Sequence, residues 1–98
     1  IWNPYLDFHV KLVKLLFSEQ SWEDYQYWLA TDKKVAKRIN QLIRDSARDH
    51  FRGIGKPERL PHLLKGYWSR RINEEHRIVY RVKDDVLNLA QIRHHYTN

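Results

Sequence analysis

The sequence predicts an α+β domain in which an N-terminal strand, a helical hairpin and a three-stranded antiparallel meander form one sheet. Apolar residues recur every three to four positions between residues 21 and 43, which is the period of an amphipathic helix. Residues 67–92 instead alternate in polarity and are interrupted by two polar turns, which is typical of a meander. A chain of 98 residues, 42% of them hydrophobic, can bury one core and leaves no room for a second domain.

The first two elements are a short strand and a helix. Residues 10–17, VKLVKLLF, form an apolar run that is typical of a buried strand. Ser18 and Ser21 both offer helix N-caps, and Ser21 is followed three residues later by an acid, as in a capping box. Aromatic side chains at helical spacing then predict a helix to about residue 30, with these residues in the core: Trp22, Tyr25 and Trp28.

A second helix is predicted to begin at Thr31 or Asp32. Its apolar side chains form one stripe at positions i, i+4, i+7 and i+8: Val35, Ile39, Leu42 and Ile43. Basic side chains surround this stripe, so the opposite side of the helix is expected to face solvent. The helix is expected to end near Asp49, before the first glycine.

The second half of the chain is predicted to be a loop followed by the meander. Residues 50–66 contain all three glycines and two of the three prolines, and they are expected to be irregular. Residues 67–72, 76–82 and 86–92 alternate as strands, and the turns fall at 73–75 and 83–85. Connections this short make the three strands antiparallel neighbours.

The charge is basic and unevenly distributed. The formal net charge is +6, and residues 50–71 carry six Lys or Arg with Glu58 as the single acid. Such a patch attracts polyanions, and Phe51, Tyr67 and Trp68 within it could stack on bases; a solvated basic surface is the alternative. The absence of cysteine excludes disulfides and thiolate chemistry and fits a reducing compartment. No apolar run approaches the roughly 20 residues of a membrane span.

Several motifs, taken in order, resemble the YoeB-type toxins of the RelE superfamily. They are SWEDY at 21–25, GIGKPE at 53–58, GYWSRRI at 66–72, EEHRIVY at 74–80 and RHHY at 93–96. The resemblance identifies residues 13–96 as the toxin domain and leaves residues 1–12 as an N-terminal extension. Residues 1–98 are therefore expected to form a single domain.

The resemblance implies a function and a set of partners. Members of that family are the toxin halves of toxin–antitoxin pairs, with a microbial-ribonuclease-like fold. They bind the ribosome and cut mRNA in the A site without a metal, so no cofactor is expected. The implied partners are mRNA, the ribosome and an acidic antitoxin of the YefM/Phd type, with a homodimer also compatible. The implied location is the cytoplasm, with no membrane association.

Metal-free RNA cleavage needs three chemical groups. The 2′-hydroxyl attacks the phosphorus after a base takes its proton, a cation stabilises the transition state, and an acid protonates the leaving 5′-oxygen. By resemblance, Glu58 is the base, Arg77 holds the phosphate and His95 is the acid, although Glu58 and His95 could exchange roles. By resemblance or from the basic patch, the substrate-binding residues are expected to be Tyr96, Arg71, Arg70, Lys56, Arg59 and Lys65.

Each of these residues also has a structural interpretation. Glu58 could be a surface acid paired with Lys56 or Arg59, Arg77 an exposed strand residue, and Tyr96 an aromatic side chain on the sheet edge. The His94–His95 pair could suggest a metal site, but adjacent strand residues point to opposite faces.

Two positions depart from the family pattern. Pro61 and His94 stand where a Lys and a Tyr are common, which affects phosphate binding and stacking respectively. The rival function is a non-catalytic RNA- or ribosome-binding domain that blocks translation by occupancy. A DNA-binding regulator is disfavoured because no helix-turn-helix signature is present.

Overall fold

The computed structural model describes residues 13–94, which form a five-stranded sheet with two helices on one face. The α+β class predicted from the sequence is confirmed. The elements, in chain order, are β1 (Lys14–Phe17), α1 (Glu19–Thr31), α2 (Lys33–Arg48), β2 (Glu58–Arg59), a 3₁₀ turn (His62–Leu64), β3 (Trp68–Arg71), β4 (Arg77–Lys83) and β5 (Val86–Gln91).

The sheet has the strand order β1-β5-β4-β3-β2. The strands β3, β4 and β5 pair antiparallel, as the short turns predict. β1 runs parallel to β5, with Lys14 opposite Val86, but the prediction that this strand is buried is wrong, because it lies at the sheet edge with Leu15 and Leu16 48% and 55% exposed. The two helices carry the chain from β1 at one edge of the sheet to β2 at the other. A register shift between Val79 and Tyr80 interrupts the β4–β5 ladder.

Side-chain caps define where both helices begin. Ser18 is the cap of α1, because its Oγ accepts a hydrogen bond of 3.0 Å from the Ser21 N–H; Ser21 itself is buried in the first turn. Asp32 caps α2 and accepts from the N–H groups of Lys34 and Val35 at 3.1 and 3.2 Å. Both arrangements satisfy amide groups that have no partner inside the helix. α2 ends at Arg48, next to the predicted boundary.

The core lies between the helices and the sheet. The predicted apolar stripe of α2 is confirmed there, with Ile39 and Leu42 fully buried against Ile78 and Leu89. The aromatic stripe of α1 is only partly in the core. Trp28 is buried and its indole N–H donates to the Ile92 carbonyl oxygen at 2.8 Å.

The core prediction for Trp22 is wrong, since this residue is 49% exposed. It rests edge-on against Phe17 of β1, with ring centroids 5.5 Å apart. The reason is the position of α1, which contacts β1 and β5 at one side of the sheet. A helix at the sheet margin buries a narrower stripe than its aromatic spacing suggests.

The prediction of an irregular loop over 50–66 needs a correction. Glu58 and Arg59 form strand β2, in which Glu58 pairs with Ser69 and Arg59 with Trp68 of β3. Two residues are too few to show an alternating pattern, so this strand has no signal in the sequence. It exists because the neighbouring β3 offers its free edge.

Some predictions concern residues that the structure does not describe. These are residues 10–12 of the first strand, the extension at 1–12, and the C-terminal residues His95 and Tyr96. Between residues 13 and 94, no helix has both the length and the apolar character that crossing a membrane requires.

Candidate active site

The two faces of the sheet differ in what covers them. On β4, Ile78 and Tyr80 point toward the helices and are fully buried. Because side chains alternate along a strand, Arg77, Val79 and Arg81 point to the opposite face. We call the face opposite the helices the open face.

Glu58 lies on the open face. It pairs with Ser69 of β3, which in turn pairs with Val79 of β4, and directly paired residues project to the same side of a sheet. Its side chain is 48% exposed, and the Lys56 Nζ lies 3.9 Å from its Oε1. The surface pairing with Lys56 is therefore present, but at this distance and exposure it is weak and leaves the carboxylate accessible.

Two arginines face each other on the same side of the sheet. Arg71 ends β3 and pairs directly with Arg77, the first residue of β4. The Arg77 Nη1 donates to the Asn73 carbonyl oxygen at 3.1 Å, which holds this half-buried guanidinium against the turn. Like charges opposite each other on paired strands repel, and an anion between them would relieve that repulsion.

Glu58 and Arg77 are close enough to act on one substrate. They lie on strands separated by β3 and differ by two residues in register. With strands about 4.8 Å apart and a rise of about 3.4 Å per residue, their Cα atoms are about 12 Å apart. Side chains of this length can reach a single phosphodiester group placed between them.

The end of the described chain is fixed beside Arg77. The Arg77 N–H donates to the His94 carbonyl oxygen at 3.1 Å, and the His94 N–H donates to the His76 Nδ1 at 2.7 Å. The His76 ring packs edge-on against Trp28, with centroids 4.8 Å apart. These contacts tie the chain immediately before His95 to the beginning of β4.

Two predicted substrate-binding residues lie elsewhere in the molecule. The Arg59 guanidinium lies over the Trp68 ring, 5.6 Å from its centroid, and Trp68 belongs to the helix-facing side of β3. Phe51 packs on the same ring with centroids 4.7 Å apart. Lys65 is exposed and follows the 3₁₀ turn that Pro61 precedes. Arg59 therefore lies on the opposite side of the sheet from Glu58, and Lys65 lies outside the strands.

The prediction that Arg70 binds substrate is wrong, because its side chain is fully buried. Its five N–H donors all have acceptors inside the protein. Nε donates to the Tyr80 hydroxyl at 3.0 Å, and Nη1 donates to the Asp45 Oδ2 at 2.6 Å. The remaining donors reach backbone carbonyls at 2.6–3.2 Å, those of Ile54, Asp49 and Arg52. We call Arg70, Asp45, Tyr80 and these carbonyls the Arg70 network.

Two pKa values are shifted within the Arg70 network. Burial raises the pKa of the Asp45 carboxyl, but hydrogen bonds from the Ile54 N–H and the Arg70 guanidinium, with a further one from Arg48, outweigh it and hold the pKa below its usual value. Burial raises the pKa of the Tyr80 hydroxyl, and the hydrogen bond from Arg70 opposes that rise only in part. The network is thus built for an ionised Asp45 and a neutral Tyr80.

The structure adds Arg81 and Ser69, which were not singled out from the sequence, to the open face, and Tyr67, one of the three aromatic residues that could stack on bases, lies there too. Arg81 lies over the Tyr67 ring, 5.1 Å from its centroid, and Tyr67 borders a shallow groove of about 220 Å³ with Leu16 and Asn88. Ser69 is buried between Glu58 and Val79. The signal was the strand alternation, which places Tyr67, Ser69 and Arg71 on one side.

Among residues 13–94, no three His, Asp or Glu side chains are grouped so that they could hold a metal ion. The described open face carries the carboxylate of Glu58, the guanidinium groups of Arg71 and Arg77, and the hydroxyl group of Tyr67.

Comparisons with known proteins agree with this fold and sequence. Residues 17–96 match the family described as "YoeB-like toxin of bacterial type II toxin-antitoxin system". Toxin YoeB of Escherichia coli (strain K12) is 58% identical over 84 residues, which is 86% of this chain and 100% of that protein.

Two solved structures from Staphylococcus aureus are also similar. A YoeB dimer has a TM-score of 0.82 and 46% identity, covering 88% of this chain and 100% of the other. A heterotetrameric YoeB–YefM toxin–antitoxin complex has a TM-score of 0.80 and 47% identity, covering 86% and 98%. The chain therefore belongs to the YoeB-like family of toxins from bacterial type II toxin–antitoxin systems.

Proposed function

We propose that this toxin is an endoribonuclease that cuts mRNA on the ribosome, and that the open face is its active site. The observation that supports this most strongly is the grouping of Glu58, Arg71 and Arg77 on the sheet face opposite the helices. A carboxylate and two guanidinium groups are the base and the phosphate-binding cations that metal-free RNA cleavage requires.

In the proposed reaction Glu58 takes the proton of the RNA 2′-hydroxyl. The O2′–P bond forms, the P–O5′ bond breaks, and His95 gives its proton to the leaving O5′. The planar guanidinium groups of Arg77 and Arg71 stabilise the negative charge on the phosphoryl oxygens as the transition state forms. His95 directly follows His94, whose carbonyl accepts from the Arg77 N–H, and this connection supports its inclusion in the site.

Substrate positioning is assigned to residues around this centre. Lys56, 3.9 Å from the Glu58 carboxylate, adds positive charge at the base, and Tyr96 is proposed to hold the substrate. Arg59 and Lys65 would contact more distant phosphates. A net charge of +6 favours approach to RNA through long-range attraction, so binding is expected to weaken as salt increases.

The proposed inhibitor is an acidic antitoxin of the YefM type encoded for this toxin. The related Staphylococcus aureus toxin forms a complex with YefM, and an acidic segment that folds on binding complements a basic face. Such a segment is expected to cover Glu58, Arg77 and His95. A homodimer, as in the related Staphylococcus aureus structure, and a cytoplasmic location are further proposals.

Primer extension on an mRNA translated in a purified system tests this function. The expected result is new 5′ ends that require ribosomes and disappear in Glu58→Ala and His95→Ala. Glu74→Ala, which removes an exposed turn acid, is the matched control and should cut normally.

The rival function is occupancy without chemistry. Stalled ribosomes carrying intact mRNA, unchanged in Glu58→Ala and His95→Ala, would support that function. Loss of stalling in variants of the basic residues between 52 and 71 would then locate the binding surface.

A further inference from the structure

We propose that Arg70 is a positioning residue, whose buried guanidinium fixes residues 49–55 and thereby the carboxylate of Glu58. This inference rests on the proposed function for its catalytic consequence, but its structural part can be measured separately.

The Arg70 network ties one chain segment to the sheet at several points. Nη2 of Arg70 donates to the carbonyl oxygens of Asp49 and Arg52 at 2.6 and 2.9 Å. Nη1 donates to the Ile54 carbonyl oxygen at 3.2 Å. A single side chain therefore holds both ends and the middle of residues 49–54. Hydrogen bonds from a charged donor are about twice as strong as neutral ones.

The other members of the network hold the same segment. The Asp45 Oδ2 accepts from the Ile54 N–H at 2.9 Å, and the Tyr80 hydroxyl donates to the His50 carbonyl oxygen at 2.6 Å. The Arg71 N–H donates to the Gly55 carbonyl oxygen at 2.6 Å. Every tether reaches backbone, so the network specifies the path of the chain rather than the identity of its side chains.

This path leads directly into the proposed base. Only Lys56 and Pro57 separate the held segment from Glu58, and β2 contains two residues. A strand this short contributes little stability of its own, so its register depends on the segments that flank it. The segment on the N-terminal side of β2 is the one that the Arg70 network holds.

Two glycines show how closely the segment approaches the network. A Cβ at Gly53 would lie 1.9 Å from the Asp45 Oδ2, and one at Gly55 would lie 2.6 Å from the Leu42 Cδ2. Both glycines also have positive φ, at +121° and +81°. The segment is thus shaped to fit against Asp45, and its position is coupled to that of Arg70.

A guanidinium is specifically suited to this task. Lysine would keep the positive charge beside Asp45, but its compact ammonium cannot reach five acceptors in a planar arrangement. Arg70→Lys therefore removes tethers without removing the charge. Gly53→Ala is a second variant, because the added Cβ would clash with the Asp45 carboxylate and strain the backbone while the Arg70 guanidinium remains in the protein.

The experiment combines enzyme kinetics with amide hydrogen exchange on the full-length protein. For both variants we expect kcat for ribosome-dependent cleavage to fall on the order of 100-fold, since small misplacements of a catalytic group have effects of this size. The KM for ribosomes should stay within about twofold. Exchange at the Ile54 and Leu60 amides, which flank Glu58, should accelerate at least roughly tenfold, while the Leu89 amide in β5 exchanges as before.

Ile39→Val is the control for a general loss of stability, because Ile39 is a core residue of α2 whose apolar side chain takes no part in the hydrogen bonds of the network. If Arg70→Lys loses no more activity than a control of equal thermal stability, the positioning role is overturned. Unchanged exchange at Ile54 and Leu60 overturns it as well, even if cleavage is slow.

The two proposals fail in different ways. If the unaltered protein binds ribosomes and never cuts mRNA, the proposed function fails. The exchange measurement needs no nuclease activity, and it still decides whether Arg70 fixes the 49–55 segment.

Discussion

Arg70 and Arg71 are neighbours in β3, but their side chains lie on opposite sides of the sheet and differ in burial. Arg70 is fully buried with an internal acceptor for each of its N–H donors, whereas Arg71 is exposed on the open face beside Arg77. Strand alternation alone separates them. The comparison teaches that the basic patch at 50–71 is not one surface, because one of its cations is part of the internal structure.

The largest expected effect comes from removing the buried member of the pair. Arg70→Met leaves the Asp45 carboxylate and three carbonyl groups without their donor, and breaking a buried ion pair costs about 3–5 kcal/mol. Urea denaturation measures this loss in the free energy of unfolding. Arg71→Met is the matched control and should change it by less than about 0.5 kcal/mol. Equal losses in the free energy of unfolding of the two variants would contradict the proposed difference between these arginines.

The exposed arginines should show the reverse behaviour, with an effect on rate instead of stability. Arg77→Ala is expected to lower cleavage by roughly 100- to 1000-fold, because a donor to the transition-state charge is lost. Thermal unfolding should change little, since the half-buried Arg77 side chain donates to backbone carbonyls of the adjacent turn and has no role in the core. Single-turnover cleavage with saturating ribosomes is the measurement. An unfolding midpoint that falls as far as that of Arg70→Met would contradict the comparison.

Acid should reduce the contribution of the Arg70 network to the free energy of unfolding. The pKa of Asp45 is lower in the folded protein than its ordinary value of 3.8, so the unfolded chain binds more protons in the interval between the two values. The stabilisation from ionised Asp45 is therefore complete above about pH 4 and is lost as the pH falls through the folded-state pKa.

Asp45→Asn is the variant that reveals this dependence. It should reduce the free energy of unfolding by roughly 2–3 kcal/mol at pH 7, because Arg70 loses its buried counter-charge. The deficit relative to the unaltered protein should shrink as the pH falls below about 4 and Asp45 becomes protonated. A constant deficit in urea denaturation across this range would contradict an ionised Asp45.

The smallest expected effect concerns the tyrosine of the network. Tyr80→Phe leaves the Arg70 Nε and the His50 carbonyl without partners, at a cost of about 1–2 kcal/mol. Burial raises the pKa of Tyr80 above 10.0, so its contribution is present below about pH 10 and is lost as the pH rises through the folded-state pKa. In urea denaturation between pH 8 and pH 12, the free energy of unfolding should fall less with rising pH for Tyr80→Phe than for the unaltered protein.

The sequence predicts most of the fold because its main elements have clear periods. The α2 stripe around Ile39 and Leu42 and the three strands of the meander are where the pattern places them. β2 was missed since two residues have no period, and the exposure of Trp22 depends on where α1 lies over the sheet. Both features depend on tertiary contacts, so the local sequence contains no signal for them.

The candidate site was predictable in part, through the family resemblance. Alternation separates Trp68, Arg70 and Ile72 from the other side of β3, but both sets mix apolar and charged residues, so the pattern does not say which side is buried. A usable signal was the acid Asp45, the only one in α2, placed beside the apolar stripe. An acid on a buried helix face requires a buried cation, and Arg70 is that cation.

The parallel pairing of β1 with β5 has a consequence for synthesis. Residues 14–17 are synthesised before the other described strands, but their neighbours at 86–89 belong to the last of those strands. Contacts so distant in sequence form late in folding, and a nascent chain without β5 lacks both the β4–β5 ladder and the strand that joins β1 to the sheet. Assembly of the complete sheet therefore waits until β5 has left the ribosome, and a chain interrupted before residue 86 has no partner for β1 in this sheet.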